Sequence, residues 1–156
     1  MHRNILFVCT GNICRSPMAE GILKVKAEEL DIEVASAGTH AYDGLPASGP
    51  AVDFAENLGI DISGHSSRRL SGDMLKKADL VLVMAYEHLD FVGDNYPEFM
   101  NKVFLLREFG RESDAAEDPE VHDPVGGNER NYKECILILM EEIGRILPVI
   151  LSNTSD

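Results

Sequence analysis

Positive charge is what this sequence has least of. Lys and Arg number 14 against 27 Asp and Glu, and the formal net charge is -13. That balance excludes nucleic acid and anionic membrane as partners, since both would repel the chain. Cysteine is also scarce: there are 3, an odd number that does not make a disulfide framework. No apolar run approaches the roughly 18 residues of a membrane helix, so no membrane insertion is expected. His, Cys and Asp nowhere cluster at ligand spacing, so neither metal nor cofactor is expected. Repeats, low-complexity tracts and linkers are missing too. A chain of 156 residues is of one-domain length and can bury a core, and its 44% apolar content is ordinary for a globular protein. The opening residues 1 to 4 run straight into an apolar segment and leave no room for a signal peptide, which makes the cytoplasm the expected location.

What is present is concentrated in residues 4 to 20. Ile5 to Val8 is an unbroken apolar run, the pattern of a strand buried on both faces. Cys9 to Arg15 is a short loop holding a thiol, Gly11, Asn12 and a guanidinium. Ser16 and Pro17 then read as the N-cap and first residue of a helix. A loop between the carboxyl end of a strand and the amino end of a helix is a natural anion site, because its amides converge and the helix dipole adds positive potential. A helix N-terminus and a neighbouring Arg favour thiolate over thiol, so Cys9 is expected to be a nucleophile. Arg15 has the planar fork that grips a tetrahedral oxyanion. A nucleophile at the bottom of an oxyanion cradle points to group transfer from a phosphate through a phosphocysteine. The bland alternative is an inert buried Cys beside a surface Arg.

Along the chain, apolar runs alternate with amphipathic stretches. A first helix is expected from Pro17 to about Leu30, with Met18, Ile22 and Val25 on one face, and a second strand over Ile32 to Ala35. Residues 39 to 50 read as a loop in which His40 and Tyr42 could line a site. A helix from Pro50 to Leu58, with Phe54 and Leu58 on one face, stops at Gly59. Leu70 to Lys77 is a short helix and Leu80 to Met84 a third buried strand. A polar helix follows from Tyr86 to about Val92, then a strand over Val103 to Leu106. Residues 107 to 127 form an acidic loop with two Asp-Pro pairs, Asp118-Pro119 and Asp123-Pro124. Tyr132, Cys135, Ile136, Leu139, Met140, Ile143, Ile146 and Leu147 recur at helical spacing in the last helix, which Pro148 ends or just follows. Residues 1 to 151 then form one domain, and residues 152 to 156 a frayed tail. Alternation of this kind means a parallel sheet with helices on both faces, an α/β three-layer sandwich, whose ligand sits outside the carboxyl ends of the strands. The Cys9 loop lies there.

The string Cys9-Thr10-Gly11-Asn12-Ile13-Cys14-Arg15-Ser16 resembles the phosphate loop of the low-molecular-weight protein tyrosine phosphatases. Pro17-Met18-Ala19-Glu20 continues that family's wording, Ser36-Ala37-Gly38-Thr39 follows the second strand, and Asp123-Pro124 precedes the last helix. The resemblance spans nearly the whole chain. It implies a four-stranded parallel sheet in strand order 2-1-3-4. It implies Cys9 as nucleophile, with Arg15 and the amides of Thr10, Gly11, Asn12, Ile13 and Cys14 holding the phosphoryl oxygens. Ser16 would donate to the sulfur. Asn12 would brace the loop against Ser36 and His65. Asp123 would be the general acid, preferred over Asp118 because Gly126-Gly127 and then the helix follow it, as in the family. Cys14 is either a packing residue or a thiol that oxidation joins to Cys9. Cys135 reads as core.

One departure concerns the substrate. Many family members carry aromatics after the Asp-Pro as a wall for the substrate ring, whereas Val125 and Gly126 stand here. His40, Tyr42 and Val125 are the candidates for that wall. Protein arginine phosphatases share the Gly-Gly but carry Thr at the position of Ile13, and the apolar Ile favours a phenyl ring over a phosphoguanidine. Arsenate reductases need further cysteines after the third strand, and none occurs between Cys14 and Cys135. A non-catalytic phosphoanion binder has no use for Cys9 and Asp123 together. The reading is therefore a protein tyrosine phosphatase, a monomer or weak homo-oligomer acting on phosphotyrosine proteins.

Overall fold

The structure is a computed structural model that describes residues 2–112 and 114–152. Four strands form one sheet in the order β2-β1-β3-β4, all parallel. They are β1 (Asn4–Cys9), β2 (Glu33–Gly38), β3 (Leu80–Val83) and β4 (Val103–Leu105). The helices are α1 (Arg15–Lys26), α2 (Gly49–Asn57), α3 (Gly72–Lys77), α4 (Tyr86–Asn95) and α5 (Glu129–Ser152). The sheet order and the parallel pairing are those the sequence implies.

Two apolar clusters show why the apolar runs lack alternation. Ile5, Phe7, Leu80 and Leu82 pack on one face with α1, α2 and α5. Leu6, Val8, Val81 and Val83 pack on the other with α3 and α4. Successive side chains point to opposite faces, so a strand covered on both sides must be apolar throughout.

The element ends differ from the sequence reading in informative ways. Strand β2 continues through Ser36 and Ala37 to Gly38, because its ladder with β1 runs from Asn4 beside Glu33 to Cys9 beside Gly38. Helix α1 starts at Arg15, with Cys14 in the capping position and no side-chain cap, so Ser16 is not the N-cap. It stops at Lys26, and Val25 is 51% exposed; Leu23 takes its place in the core. In α2 the buried face is Ala51 and Ala55, and Leu58 faces solvent. A short 3-10 helix, Pro97–Lys102, fills the stretch between α4 and β4. Helix α5 passes through Pro148 to Ser152. Burial of Ile146 and Ile150 on either side of the proline holds that last turn despite the lost hydrogen bond. Residues 153 to 156 of the expected frayed tail lie outside the described residues, and Ser152 is helical.

The acidic loop after β4 is tied to α5 by one buried carboxylate. Glu142 faces Arg107 at 3.9 Å, Arg111 at 3.4 Å and Arg145 at 2.9 Å. Arg145 also donates to the carbonyls of Phe109 at 2.6 Å and Leu106 at 3.0 Å. Three guanidiniums share one carboxylate, so removing it leaves half-buried cations facing each other. Glu142→Ala is expected to cost about 3 kcal/mol, read as a lowered midpoint in urea unfolding. Arg145→Lys is expected to cost less, since the charge survives and only the fork is lost.

Candidate active site

The loop after β1 is bent by one residue. Asn12 has φ 57°, the only non-Gly residue with positive φ among the described residues. Asn tolerates this left-handed conformation better than most side chains. Its own side chain repays the cost: Nδ2 donates to Ser16 Oγ at 2.8 Å and Ser36 Oγ at 2.9 Å, and Oδ1 accepts the Arg68 N–H at 2.9 Å. His65 Nε2 reaches the Asn12 carbonyl at 2.7 Å. Ser36 Oγ in turn donates a hydrogen bond to Glu20 Oε1 at 2.6 Å.

Four carbonyls of the loop, those of Cys9, Thr10, Asn12 and Ile13, are engaged from outside. Thr39 donates to Cys9 O and His40 to Thr10 O, each at 2.9 Å, and Ser48 donates to Ile13 O at 2.8 Å. In a trans peptide the carbonyl and the following N–H point in opposite directions. Turning the carbonyls of Thr10, Asn12 and Ile13 outward therefore turns the amides of Gly11, Ile13 and Cys14 inward. The amino end of α1 adds its own dipole.

Inside this ring sit the Cys9 thiol and the Arg15 guanidinium. Cys9 is 2% exposed, and its sulfur lies 2.9 Å from Ser16 Oγ. Ser16 is free to face the sulfur because it does not cap the helix. Arg15 is also 2% exposed. Its Nη1 donates to Val121 O at 3.0 Å, its Nη2 to Thr10 Oγ1 at 3.3 Å, and Asp123 stands 3.6 Å from Nη2. Asp123 Oδ1 accepts the Val125 N–H at 3.0 Å, a local turn that fixes the carboxyl over the loop. Cys9, Thr10, Gly11, Ile13, Cys14, Arg15, Asp123 and Val125 line one cleft of about 170 Å³. A larger cleft of about 400 Å³ beside β2, between Lys24, Arg68 and Lys77, contains no nucleophile, so size does not select the site.

The other expected residues divide. Cys14 is buried and free, 3.0 Å from Ser48 Oγ and 3.8 Å from the Tyr132 hydroxyl. Burial pushes its thiol up. Burial also pushes Cys135 up, to about 12. Neither His40 nor Tyr42 lines the cleft. His40 packs edge-on against Phe91 at 5.3 Å, and Tyr42 is 79% exposed. Asp118 is paired with His122 at 2.6 Å rather than with Arg15. Among the described residues no group of three His, Cys, Asp or Glu could hold a metal, and no helix is long and apolar enough to cross a membrane.

Two neighbours of the loop were not singled out from sequence. Thr10 Oγ1 is met by His88 Nε2 at 2.9 Å and Glu87 at 3.2 Å. Both lie at the start of α4, just past β3, at the carboxyl edge of the sheet where ligands bind. The signal was a His at the third helical position, where a polar side chain caps.

These features define an α/β protein whose Cys-x5-Arg loop forms an oxyanion cradle on a doubly wound parallel sheet. The family model described as low molecular weight phosphotyrosine protein phosphatase matches residues 4–154, and the chain belongs to that family. It is 37% identical over 135 residues to a protein-arginine-phosphatase of Bacillus subtilis, covering 84% of this chain and 85% of that one. It is 38% identical over 121 residues to the low molecular weight protein-tyrosine-phosphatase Etp of Escherichia coli, covering 78% and 76%. The solved YwlE arginine phosphatase of Geobacillus stearothermophilus superposes with a TM-score of 0.88 at 34% identity, covering 96% and 94%.

The close approach of β2 to the loop generates a prediction. A Cβ on Gly38 would stand 2.5 Å from Thr10 O and 2.9 Å from Asn12 N, both backbone atoms. Gly38→Ala is expected to cost about 1–3 kcal/mol in urea unfolding. It should also weaken inorganic phosphate as a competitive inhibitor, because the relief must come from the loop.

Proposed function

We propose that this chain hydrolyses phosphotyrosine in proteins through a phosphocysteine intermediate. The observation that carries the reading is the shared cleft: the Cys9 sulfur and the Arg15 fork at its base, the Asp123 carboxyl above them, and apolar Ile13 and Val125 at its walls. The loop amides and Arg15 take the phosphoryl oxygens. The Cys9 thiolate attacks phosphorus, and an S–P bond forms as the bond to the phenolic oxygen breaks. Asp123 gives that oxygen its proton, a service worth roughly 10²–10⁴-fold. Ser16 donates to the sulfur, steadying it as attacker and then as leaving group. In the second step Asp123, now a carboxylate, takes a proton from water as the water's oxygen attacks phosphorus. The S–P bond breaks and phosphate leaves. Asn12, with Ser36 and His65, holds the loop in shape. Residues 1 to 151 form the phosphatase domain, acting in the cytoplasm on phosphotyrosine proteins as a monomer or weak homo-oligomer.

Cys9→Ser is expected to abolish turnover while inorganic phosphate still binds by calorimetry; surviving turnover would sink the mechanism. Asp123→Ala is expected to slow phenyl phosphate by roughly 10²–10⁴-fold and 4-nitrophenyl phosphate far less, since nitrophenolate leaves without a proton.

A second reading, protein arginine phosphatase, draws support from Glu87 and Glu120. With Arg15 and Asp123 they line an adjoining cleft of about 200 Å³, where carboxylates would suit a guanidinium. The relatives include enzymes so named. Ile13 weighs against it, because its side chain offers no polar partner. A side-by-side assay on phosphotyrosine and phosphoarginine peptides decides, with tyrosine expected to prevail. Ile13→Thr should shift the kcat/KM ratio toward phosphoarginine by about tenfold.

A further inference from the structure

His88 is 1% exposed and lies in the first turn of α4. Its Nδ1 lies 3.0 Å from the Ala85 N–H, so that nitrogen must be an acceptor. A neutral ring accepting at Nδ1 carries its proton on Nε2, and Nε2 stands 2.9 Å from Thr10 Oγ1. Arg15 Nη2, a donor only, reaches the same oxygen at 3.3 Å. With two donors on its lone pairs, the hydroxyl has its own proton to give, and Glu87 Oε1 receives it at 3.2 Å. Every bond from Ala85 to Glu87 thus has one direction. Burial, then the nearby Arg15 charge, hold His88 down to about 3, so the ring stays neutral across the working range of pH and the direction does not reverse.

We propose that His88 is a positioning residue for the phosphate clamp: its Nε2–H fixes the Thr10 hydroxyl, which in turn holds one arm of the Arg15 fork at the angle that grips a phosphoryl oxygen. Arg15 needs such an anchor. Its other arm is spent on the Val121 carbonyl and Asp123 pulls from the open side, so rotation about its last torsions would misdirect the fork. The inference rests on the phosphate-clamp part of the proposed function and not on the identity of the substrate.

The test uses inorganic phosphate binding by calorimetry, together with kcat and KM on a phosphotyrosine peptide. Four variants are needed: His88→Leu, His88→Gln, Thr10→Val, and the double variant His88→Leu with Thr10→Val. Gln at this helical position can accept from the Ala85 N–H and still offer an N–H to Thr10. His88→Leu is expected to weaken phosphate binding about tenfold, the factor of one well-placed hydrogen bond, with kcat falling alongside. His88→Gln should recover affinity to within about threefold of the parent. The double variant should bind phosphate no more weakly than Thr10→Val alone, because His88 acts only through that hydroxyl. A purely structural His88 would lower unfolding midpoints, and its effect would multiply with that of Thr10→Val. Parent-like phosphate affinity in His88→Leu, failure of Gln to rescue a folded protein, or multiplying effects would each overturn the proposal. If the parent binds phosphate but does not turn over the peptide, the tyrosine reading fails while the binding arm still tests His88.

Discussion

The constraint on which the rest depends is the turning of one loop inside out. Carbonyls of Cys9, Thr10, Asn12 and Ile13 are all bonded to groups outside the loop, so the amides between them must face inward. No single element could impose this. Thr39 and His40 come from the turn just after β2, Ser48 from the cap of α2, and His65 and Arg68 from the segment before α3. Each supplies one bond, and together they hold Asn12 in a conformation worth about a kilocalorie or more of local strain. The strain is tolerable because the surroundings over-determine it.

Electrostatics works against the global charge. A chain with net charge -13 buries a guanidinium in the cleft beside Cys9. Arg15 remains buried because a carbonyl, a hydroxyl and a partly open carboxylate share its donors. Neutrality elsewhere matters as much. Cys14 and Cys135 are pushed up by burial and stay thiols, and His88 is held neutral by the same cause.

Much of this was readable in the chain. Period-free apolar runs announced strands covered on both faces, and β1, β3 and β4 fell within a residue of the expected places. Cys9, Arg15 and Asp123 converge on one cleft although 108 positions separate the last two. What misled was local chemistry judged without neighbours. Ser16 and Pro17 have the look of a cap and a first residue, yet Ser16 lies against the sulfur and the helix begins two residues sooner. Pro148 has the look of a stop, yet Ile150 is worth enough in the core to carry α5 past it. Tyr42 has the look of a substrate wall, yet nothing packs it toward the cleft.

By itself the sequence determined the layer order and the path of the Cys9 loop, because apolar strands alternate with amphipathic helices and a Cys-x5-Arg loop between a strand and a helix leaves little freedom over a handful of residues. Only the tertiary structure decided what surrounds them. Which hydroxyl faces the sulfur, which carbonyls are turned outward, and which histidine meets the Thr10 hydroxyl beside Arg15 depend on contacts between segments far apart in the chain. Sequence spacing carries no signal for a bond between Thr10 and His88; only the parallel pairing of β1 with β3 brings their carboxyl ends side by side.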